Sequence, residues 1–165
     1  MKRPLRYEWM RPKELLRVLE EAPVAYIPLG ALEFHGSHLP FGVDAISAYE
    51  ICRRTAVHTG GTILPPFYFG DTADYANAPG SIGHDTSWIA SGVYRIGARL
   101  VSMGFRVLVV LAGYSGKKSP AAIQEAGRSL MADFPETYVL ALAASEAYPL
   151  EFRGDHAARW ETSTA

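Results

Sequence analysis

Short apolar runs alternate with stretches of helical periodicity along this chain, and the alternation predicts its secondary structure. Four runs have the length and the flanking turn residues of buried strands. They are residues 24–29, 62–64, 106–112 and 138–143. Between them apolar residues recur at helical spacing. The predicted helices are residues 12–22, a helix from Asp44 to about His58, a helix capped by Asp85 and ended by Gly104, and a helix opened by Ser119.

Strands that alternate with helices predict a parallel sheet covered on both faces. We therefore expect a three-layer α/β/α fold with a mainly parallel central sheet. A length of 165 residues fits one domain, 1–165, with room for a sizeable core. In the third predicted helix Trp88, Ile89 and Val93 are expected to face inward.

A loop rich in glycine and proline follows the first buried strand and contains candidate metal ligands. Glu33 and His35 are two residues apart, so on extended backbone their side chains point to one face. Gly36 and Pro40 let the chain fold back before Asp44. Carboxylate oxygens and imidazole nitrogens suit Zn, Mn or Fe. The alternative is a surface loop with a few polar residues. Glycines and prolines that turn the three side chains toward one point favour a metal-binding loop.

Composition excludes several classes of partner. The net charge is −1, and no block of like charges is long enough to grip nucleic acid or anionic lipid. Cys52 is the single cysteine, which rules out an internal disulfide and a thiolate zinc cluster and fits a reducing cytoplasm. The N-terminus lacks the apolar core of a signal peptide, and no apolar run approaches membrane-spanning length. We expect a cytoplasmic protein without nucleic-acid or membrane partners.

Four segments, in order, resemble the motifs of one family. The run EFHGSHLPFGVD is similar to the E-Q-H-G-x-H-L-P-x-G-x-D signature of the creatininase family of metal-dependent amidohydrolases. The other three segments are PPFYFGDTADYANAPGSI, GFRVLVVLAGYSG and GDHAARWETS. They resemble, respectively, a PP-x-x-x-G segment closing on P-G-T, a strand ending in N-G-H-G-G, and H-A-G-x-x-E-T-S. The resemblance spans the chain from about Pro23 to Ser163.

The resemblance implies a role for each matching residue. Glu33, His35 and Asp44 match the family's metal ligands, of which the aspartate bridges two ions. Glu161 is expected on the metal or its water, and His156 is expected to transfer protons. Spacing alone would make His156 a loop histidine and Glu161 a solvated charge, and the motif match reverses that preference. Three aromatic residues are expected at the substrate: Tyr75, Tyr114 and Trp160.

The chain also departs from the family pattern. Tyr114 stands where N-G-H-G-G has its histidine, and Tyr75 replaces another family histidine. Tyrosine is a poor neutral donor near pH 7. We therefore expect one divalent ion (Zn, Mn or Fe) rather than two, held by His35, Asp44 and Glu161, with Glu33 nearby as ligand or base. Family members continue beyond the position of Glu161, so the sequence is that of a naturally short protein or a fragment.

Three functions are compatible with these features. The first is a metal-dependent hydrolase that cleaves a C–N bond (an amide, cyclic amide or formamide) or a related ring bond of a small molecule. The second is a degenerate, non-catalytic homologue that serves as a binding or structural subunit. The third is a small-molecule or sugar-binding module built on the aromatic loop 67–84. The survival of five matching residues favours the first: Glu33, His35, Asp44, His156 and Glu161. Apolar surface left uncovered would favour a homo-oligomer, a hexamer by resemblance.

Overall fold

The central sheet of the computed structural model is parallel throughout. The structure describes residues 5–68, 70–72, 75–113, 118–147 and 156–164. Its strands are β1 (Leu5–Arg6), β2 (Val24–Leu29), β3 (Thr62–Ile63), β4 (Val107–Ala112) and β5 (Tyr138–Ala143). Their order across the sheet is β1-β3-β2-β4-β5. The predicted parallel α/β architecture is confirmed.

Three long strands form the middle of the sheet. Val24 pairs with Val107 and Leu29 with Ala112, so β2 and β4 run in register over their full length. β5 continues the same register on the other side of β4. The sequence pattern predicted β2 to β5 to within a residue at each end. It missed β1, because a two-residue strand carries no periodicity.

Helices cover both faces of the sheet. They are α1 (Pro12–Glu21), α2 (Val43–Thr59), α3 (Thr86–Ser102), α4 (Lys118–Asp133), α5 (Ala144–Ala147) and α6 (Arg159–Thr164). α1, α3 and α4 pack on one face around Ile27 and Leu108, whereas α2 packs on the other around Tyr26 and Ile63. None of these described helices has both the length and the apolar character needed to cross a bilayer.

Trp88 does not point into the core as the sequence predicted. Its side chain is exposed, while the neighbouring Ile89 is fully buried. Trp88 lies in the first turn of α3, where it stacks on the rings of His84 and Phe67 at centroid distances of 4.0 and 5.5 Å. Both rings belong to the aromatic loop before α3. The spacing of apolar residues within a helix gives no information on contacts with a neighbouring loop, so the sequence pattern could not predict this stack.

Candidate metal centre

Two glycines at the ends of adjacent strands bring the start of α2 against the sheet. Gly30 follows β2 and Gly113 follows β4, and the amide of Gly113 donates to the Leu29 carbonyl at 2.8 Å. A Cβ at Gly30 would lie 2.7 Å from Ala45 Cα, and one at Gly113 would lie 2.6 Å from the Asp44 carbonyl carbon. Only glycine permits this approach. Asp44 is thereby held in the first turn of α2, beyond the carboxyl ends of the strands.

The loop between β2 and α2 folds back on itself and buries Glu33 and His35. The Glu33 amide donates to the Phe41 carbonyl at 2.9 Å, and Gly36 adopts a φ of 72° that favours glycine. Glu33 and His35 are only 6% and 1% exposed. The two candidate ligands of this loop therefore face inward, although its tip is exposed to solvent.

His35 presents a free ring nitrogen to two carboxylates. Its Nδ1 lies 3.0 Å from the Glu33 carbonyl oxygen, which only accepts, so Nδ1 carries the hydrogen. In the neutral ring Nε2 then holds a lone pair. This Nε2 lies 3.4 Å from Asp44 Oδ1 and 3.7 Å from Glu161 Oε2. Both His35 Nε2 and Asp44 Oδ2 are buried without a hydrogen-bond partner.

These spacings fit a shared cation better than direct hydrogen bonds. Good N–H···O bonds are about 2.7–3.2 Å long. Two ligands held tetrahedrally about 2.0–2.1 Å from a zinc ion lie roughly 3.3 Å apart. The donor atoms of His35, Asp44 and Glu161 lie within 4.8 Å of one another. Together with the two unpartnered buried atoms, this donor set fits a divalent ion.

His156 lies beside this group with its ring fixed on three sides. Nε2 lies 2.8 Å from the Phe34 carbonyl oxygen and therefore donates, which leaves the lone pair on Nδ1. Nδ1 faces Glu33 Oε2 at 3.6 Å. The ring stacks between Tyr75, at a centroid distance of 4.0 Å, and His35, at 4.3 Å. The structure thus brings His156 to the predicted group, and Tyr75 covers it.

Glu161 comes from the short helix α6. Its Oε2 accepts a hydrogen bond from the Ala157 amide at 2.5 Å, which ties the carboxylate to the turn that carries His156. Ala157 has a φ of 53°, the left-handed conformation that makes this turn tight. A second contact, between His38 Nε2 and Thr162 Oγ1 at 3.1 Å, joins α6 to the loop after β2. Distant segments thus converge on His35.

Burial and crowding shift the acid–base equilibria of the centre in the metal-free protein. Burial, reinforced by the negative charge of Asp44, raises the pKa of Glu33 to about 8. Burial by itself lowers the pKa of His35, but the contacts with Asp44 and with the Glu33 carbonyl outweigh it and raise the pKa to about 9. In the metal-free cluster near neutral pH these shifts favour a protonated Glu33 and a positively charged His35, and a divalent ion would have to displace those protons.

Sequence reasoning missed one acidic residue near the centre. Asp71 Oδ2 accepts a hydrogen bond from the buried Ser119 hydroxyl at 3.3 Å, and its charge adds to the rise in the pKa of Glu33. Its position directly after Gly70 in the aromatic loop was the available signal. Tyr114 lies outside the described residues. Trp160 lies in α6 next to Glu161, and its side chain lies outside the described part.

A parallel α/β sheet with histidines and carboxylates gathered beyond its strand ends defines an α/β protein with a candidate metal centre. Comparison with known proteins gives the family. The family model described as creatinine amidohydrolase matches residues 8–165. The chain belongs to the creatininase family.

Solved creatininases share the fold of nearly all of this chain. A creatinine amidohydrolase crystal structure superposes with a TM-score of 0.82 at 25% identity, covering 98% of this chain and 71% of that one. A creatininase in its Mn form gives a TM-score of 0.78 at 26% identity, with coverages of 97% and 71%. A mutant creatininase of Zn–Zn type is also similar, at 26% identity.

Curated relatives match over part of their length. Creatinine amidohydrolase of Pseudomonas putida is 29% identical over 96 residues, which cover 55% of this chain and 37% of the relative. The 3-dehydro-scyllo-inosose hydrolase of Thermotoga maritima is 25% identical over 117 residues, which cover 69% and 38%. The matched segments thus span well under half the length of these relatives.

Proposed function

We propose that this protein is a metal-dependent hydrolase that cleaves a C–N bond, or a related ring bond, of a small molecule. The observation that carries the proposal is the unpartnered Nε2 of His35, buried and facing carboxylates of Asp44 and Glu161 at 3.4 and 3.7 Å. These three residues would hold one tightly bound Zn, Mn or Fe ion, with Glu33 beside it. A His and two carboxylates are a common protein ligand count for a catalytic site with an open position.

The neighbouring residues are arranged for acid–base chemistry. A bound divalent ion supplies Lewis acidity, which lowers the pKa of a water molecule and polarises a carbonyl group. The Nδ1 lone pair of His156 is held by the Phe34 carbonyl and by stacking on Tyr75, so it is oriented to accept a proton. Glu33 lies 3.6 Å from that nitrogen, close enough to exchange the proton through a small movement. Glu161 is fixed by the Ala157 amide and stays oriented toward His35.

The substrate of this proposal is a small ring or amide compound. The two curated relatives are named for creatinine, a cyclic amide, and for 3-dehydro-scyllo-inosose. Tyr75 is partly exposed over the His156 ring and would form one wall for such a ring. Tyr114 and Trp160 stay part of this proposal as further aromatic contacts.

The proposal also includes a homo-oligomer and a cytoplasmic location. Tyr138 and Leu140 on β5 are 60% and 43% exposed, and apolar side chains side by side on an edge strand favour association of copies into a homo-oligomer. Light scattering that shows a monomer at working concentration would contradict this. Cys52 is buried and unpaired, which supports a reducing, cytoplasmic environment.

Metal analysis paired with a hydrolysis assay tests the proposed function. Protein purified without chelator should retain close to one equivalent of metal after gel filtration and hydrolyse members of a panel of cyclic amides, formamides and lactones. Glu161→Gln keeps an oxygen for the Ala157 amide but removes the charge, so it should lower metal affinity roughly tenfold or more. Glu125→Gln, which breaks only an exposed ion pair with Arg128 at 2.6 Å, is the matched control.

The degenerate homologue is the second candidate. Its physical basis is that a doubly protonated His35 could neutralise Asp44 and Glu161 without any metal. Such a protein would bind neither Zn nor Mn after incubation and would hydrolyse no member of the panel. Those two results together would replace the hydrolase proposal by this one.

A further inference from the structure

The backbone of Phe34 lies between the two candidate ligands of the loop after β2, and both of its polar groups are engaged. Its carbonyl oxygen accepts the ring hydrogen of His156 Nε2 at 2.8 Å. Its amide donates to the hydroxyl oxygen of Ser81 at 3.0 Å. Both distances are those of good hydrogen bonds. The backbone of Phe34 therefore connects the Ser81 hydroxyl to the His156 ring.

A tight turn in the aromatic loop places the Ser81 hydroxyl. The Ser81 amide donates to the Ala78 carbonyl at 3.1 Å, with a proline and Gly80 in the two central positions. Gly80 has a φ of 83°, which after a proline is typical of a type II turn. The Ile82 amide then donates to the Leu32 carbonyl at 2.8 Å, which joins this turn to the loop after β2. The backbone on both sides of Ser81 is thus fixed.

The aromatic loop also supplies a ring that stacks on His156. The Tyr75 ring lies parallel to it at a centroid distance of 4.0 Å, and the Tyr75 carbonyl accepts from the Ala78 amide at 2.9 Å. The loop therefore acts on His156 in two ways, by stacking and through the backbone of Phe34. Removing the Ser81 hydroxyl leaves the stacking in place and isolates the second effect.

We infer that Ser81 is a positioning residue for His156. By accepting from the Phe34 amide, the Ser81 hydroxyl keeps the Phe34 carbonyl directed at His156 Nε2, and so keeps the Nδ1 lone pair on the side of Glu33. Without this acceptor, the part-buried Phe34 amide has to turn toward water, and the carbonyl moves with it. The effect on hydrolysis rests on the proposed function, in which His156 accepts the proton.

Hydrogen exchange at the His156 ring tests the inference without relying on activity. A ring N–H proton exchanges slowly with water only while it is hydrogen-bonded and protected. In metal-free protein, Ser81→Ala should speed exchange of the His156 Nε2 proton roughly five- to tenfold, as expected for one lost hydrogen bond. The signal is assigned by its absence in His156→Gln. Ser81→Thr keeps the hydroxyl and should restore slow exchange, while the amide of Leu108 in β4 should exchange equally slowly in both Ser81 variants.

Hydrolysis kinetics then measure the effect on the reaction. Ser81→Ala should lower kcat about tenfold, since general acid–base catalysis contributes roughly 10²–10⁴-fold and only its alignment is disturbed. KM and zinc affinity should change less than about twofold, because the proposed metal ligands are untouched. Ser81→Thr should restore kcat. Ser102→Ala is the matched control, since it removes an exposed hydroxyl that donates to the Arg99 carbonyl at 2.8 Å, far along α3.

The outcomes separate this inference from the proposed function. Unchanged exchange of the ring proton in Ser81→Ala overturns the inference whatever happens to kcat, and so does faster exchange that threonine fails to restore or that the Leu108 amide shares. Faster ring exchange with unchanged kcat supports the positioning of His156 and overturns its effect on hydrolysis. If the unmodified protein neither binds zinc nor hydrolyses any member of the panel, the proposed function fails, and the exchange rates still decide whether Ser81 positions His156.

Discussion

Replacing Gly30 by alanine should disturb the metal centre without touching any of its ligands. Gly30 does not adopt a positive φ, so alanine meets no backbone strain there and the effect is purely steric. The new methyl group would point at the first turn of α2, which holds Asp44. The substitution therefore tests whether close contact between strand end and helix positions that carboxylate.

The magnitude follows from the distances at this contact. The added Cβ would lie 2.2 Å from the Ala45 backbone nitrogen and 2.7 Å from both Ala45 Cα and the Asp44 carbonyl carbon. Ordinary contact between such heavy atoms is about 3.5 Å, so the helix start must move by roughly 1 Å. Overpacking of this kind costs about 1–3 kcal/mol of the free energy of unfolding. Metal sites tolerate errors of only about 0.2 Å in ligand distance, so affinity for the ion should fall about tenfold or more.

Gly92→Ala is the matched control for this experiment. It lies inside α3, where a Cβ would meet only Phe67 Cζ at 3.7 Å, an ordinary contact. Alanine there should stabilise the protein by about 0.5–1 kcal/mol. Urea unfolding of the metal-free proteins and zinc titration measure both effects. If Gly30→Ala matched the unmodified protein in stability and in zinc affinity, the positioning role of the glycine contact would be refuted.

Three further predictions follow from single features of the structure. Zinc affinity should rise between roughly pH 6 and pH 9, because ligands must lose protons to bind metal. In the metal-free protein the pKa values of Glu33 and His35 lie at about 8 and about 9. Calorimetry in buffers of different ionisation enthalpy should show proton release, and a pH-independent affinity would contradict the assignment. Burial raises the pKa of the Cys52 thiol to about 12. A thiol reagent should therefore label none of the folded protein and one thiol per chain in denaturant. Rapid labelling of the folded protein would contradict the burial of Cys52. Asp85→Ala should cost about 1 kcal/mol of the free energy of unfolding, because the Asp85 carboxylate accepts a hydrogen bond from the Trp88 amide at 2.8 Å. Asp85→Asn should cost less, because asparagine is also a good N-cap residue. Equal losses of stability in urea unfolding would refute the capping argument.

Local patterns were sufficient for the architecture. The apolar runs of β2, β4 and β5 and the helical spacing of α1 to α4 depend on neighbours in the chain, so the sequence predicts them to within a residue or two. The loop after β2 was predictable for the same reason. Glu33 and His35 share a face through their spacing, and glycine and proline bend the chain locally. Asp44 follows at the start of the next helix.

Only the tertiary structure decided how the distant residues meet. His156 is 122 residues from Phe34, yet the Phe34 carbonyl fixes its tautomer and the rings of His35 and Tyr75 fix its plane. The position of Asp71 near the centre and the stacking of the exposed Trp88 ring likewise depend on the aromatic loop, whose sequence has no periodicity.

What the sequence by itself determined was the parallel α/β fold and the candidate ligands Glu33, His35 and Asp44, because these follow from local spacing and from residue chemistry. Glu161 and His156 were predicted only through the resemblance to the family's motifs. Donor separations and unpartnered lone pairs depend on how strands, loops and α6 pack together in three dimensions. The folded chain leaves Nε2 of His35 and Oδ2 of Asp44 without partners, and no one-dimensional pattern contains that information.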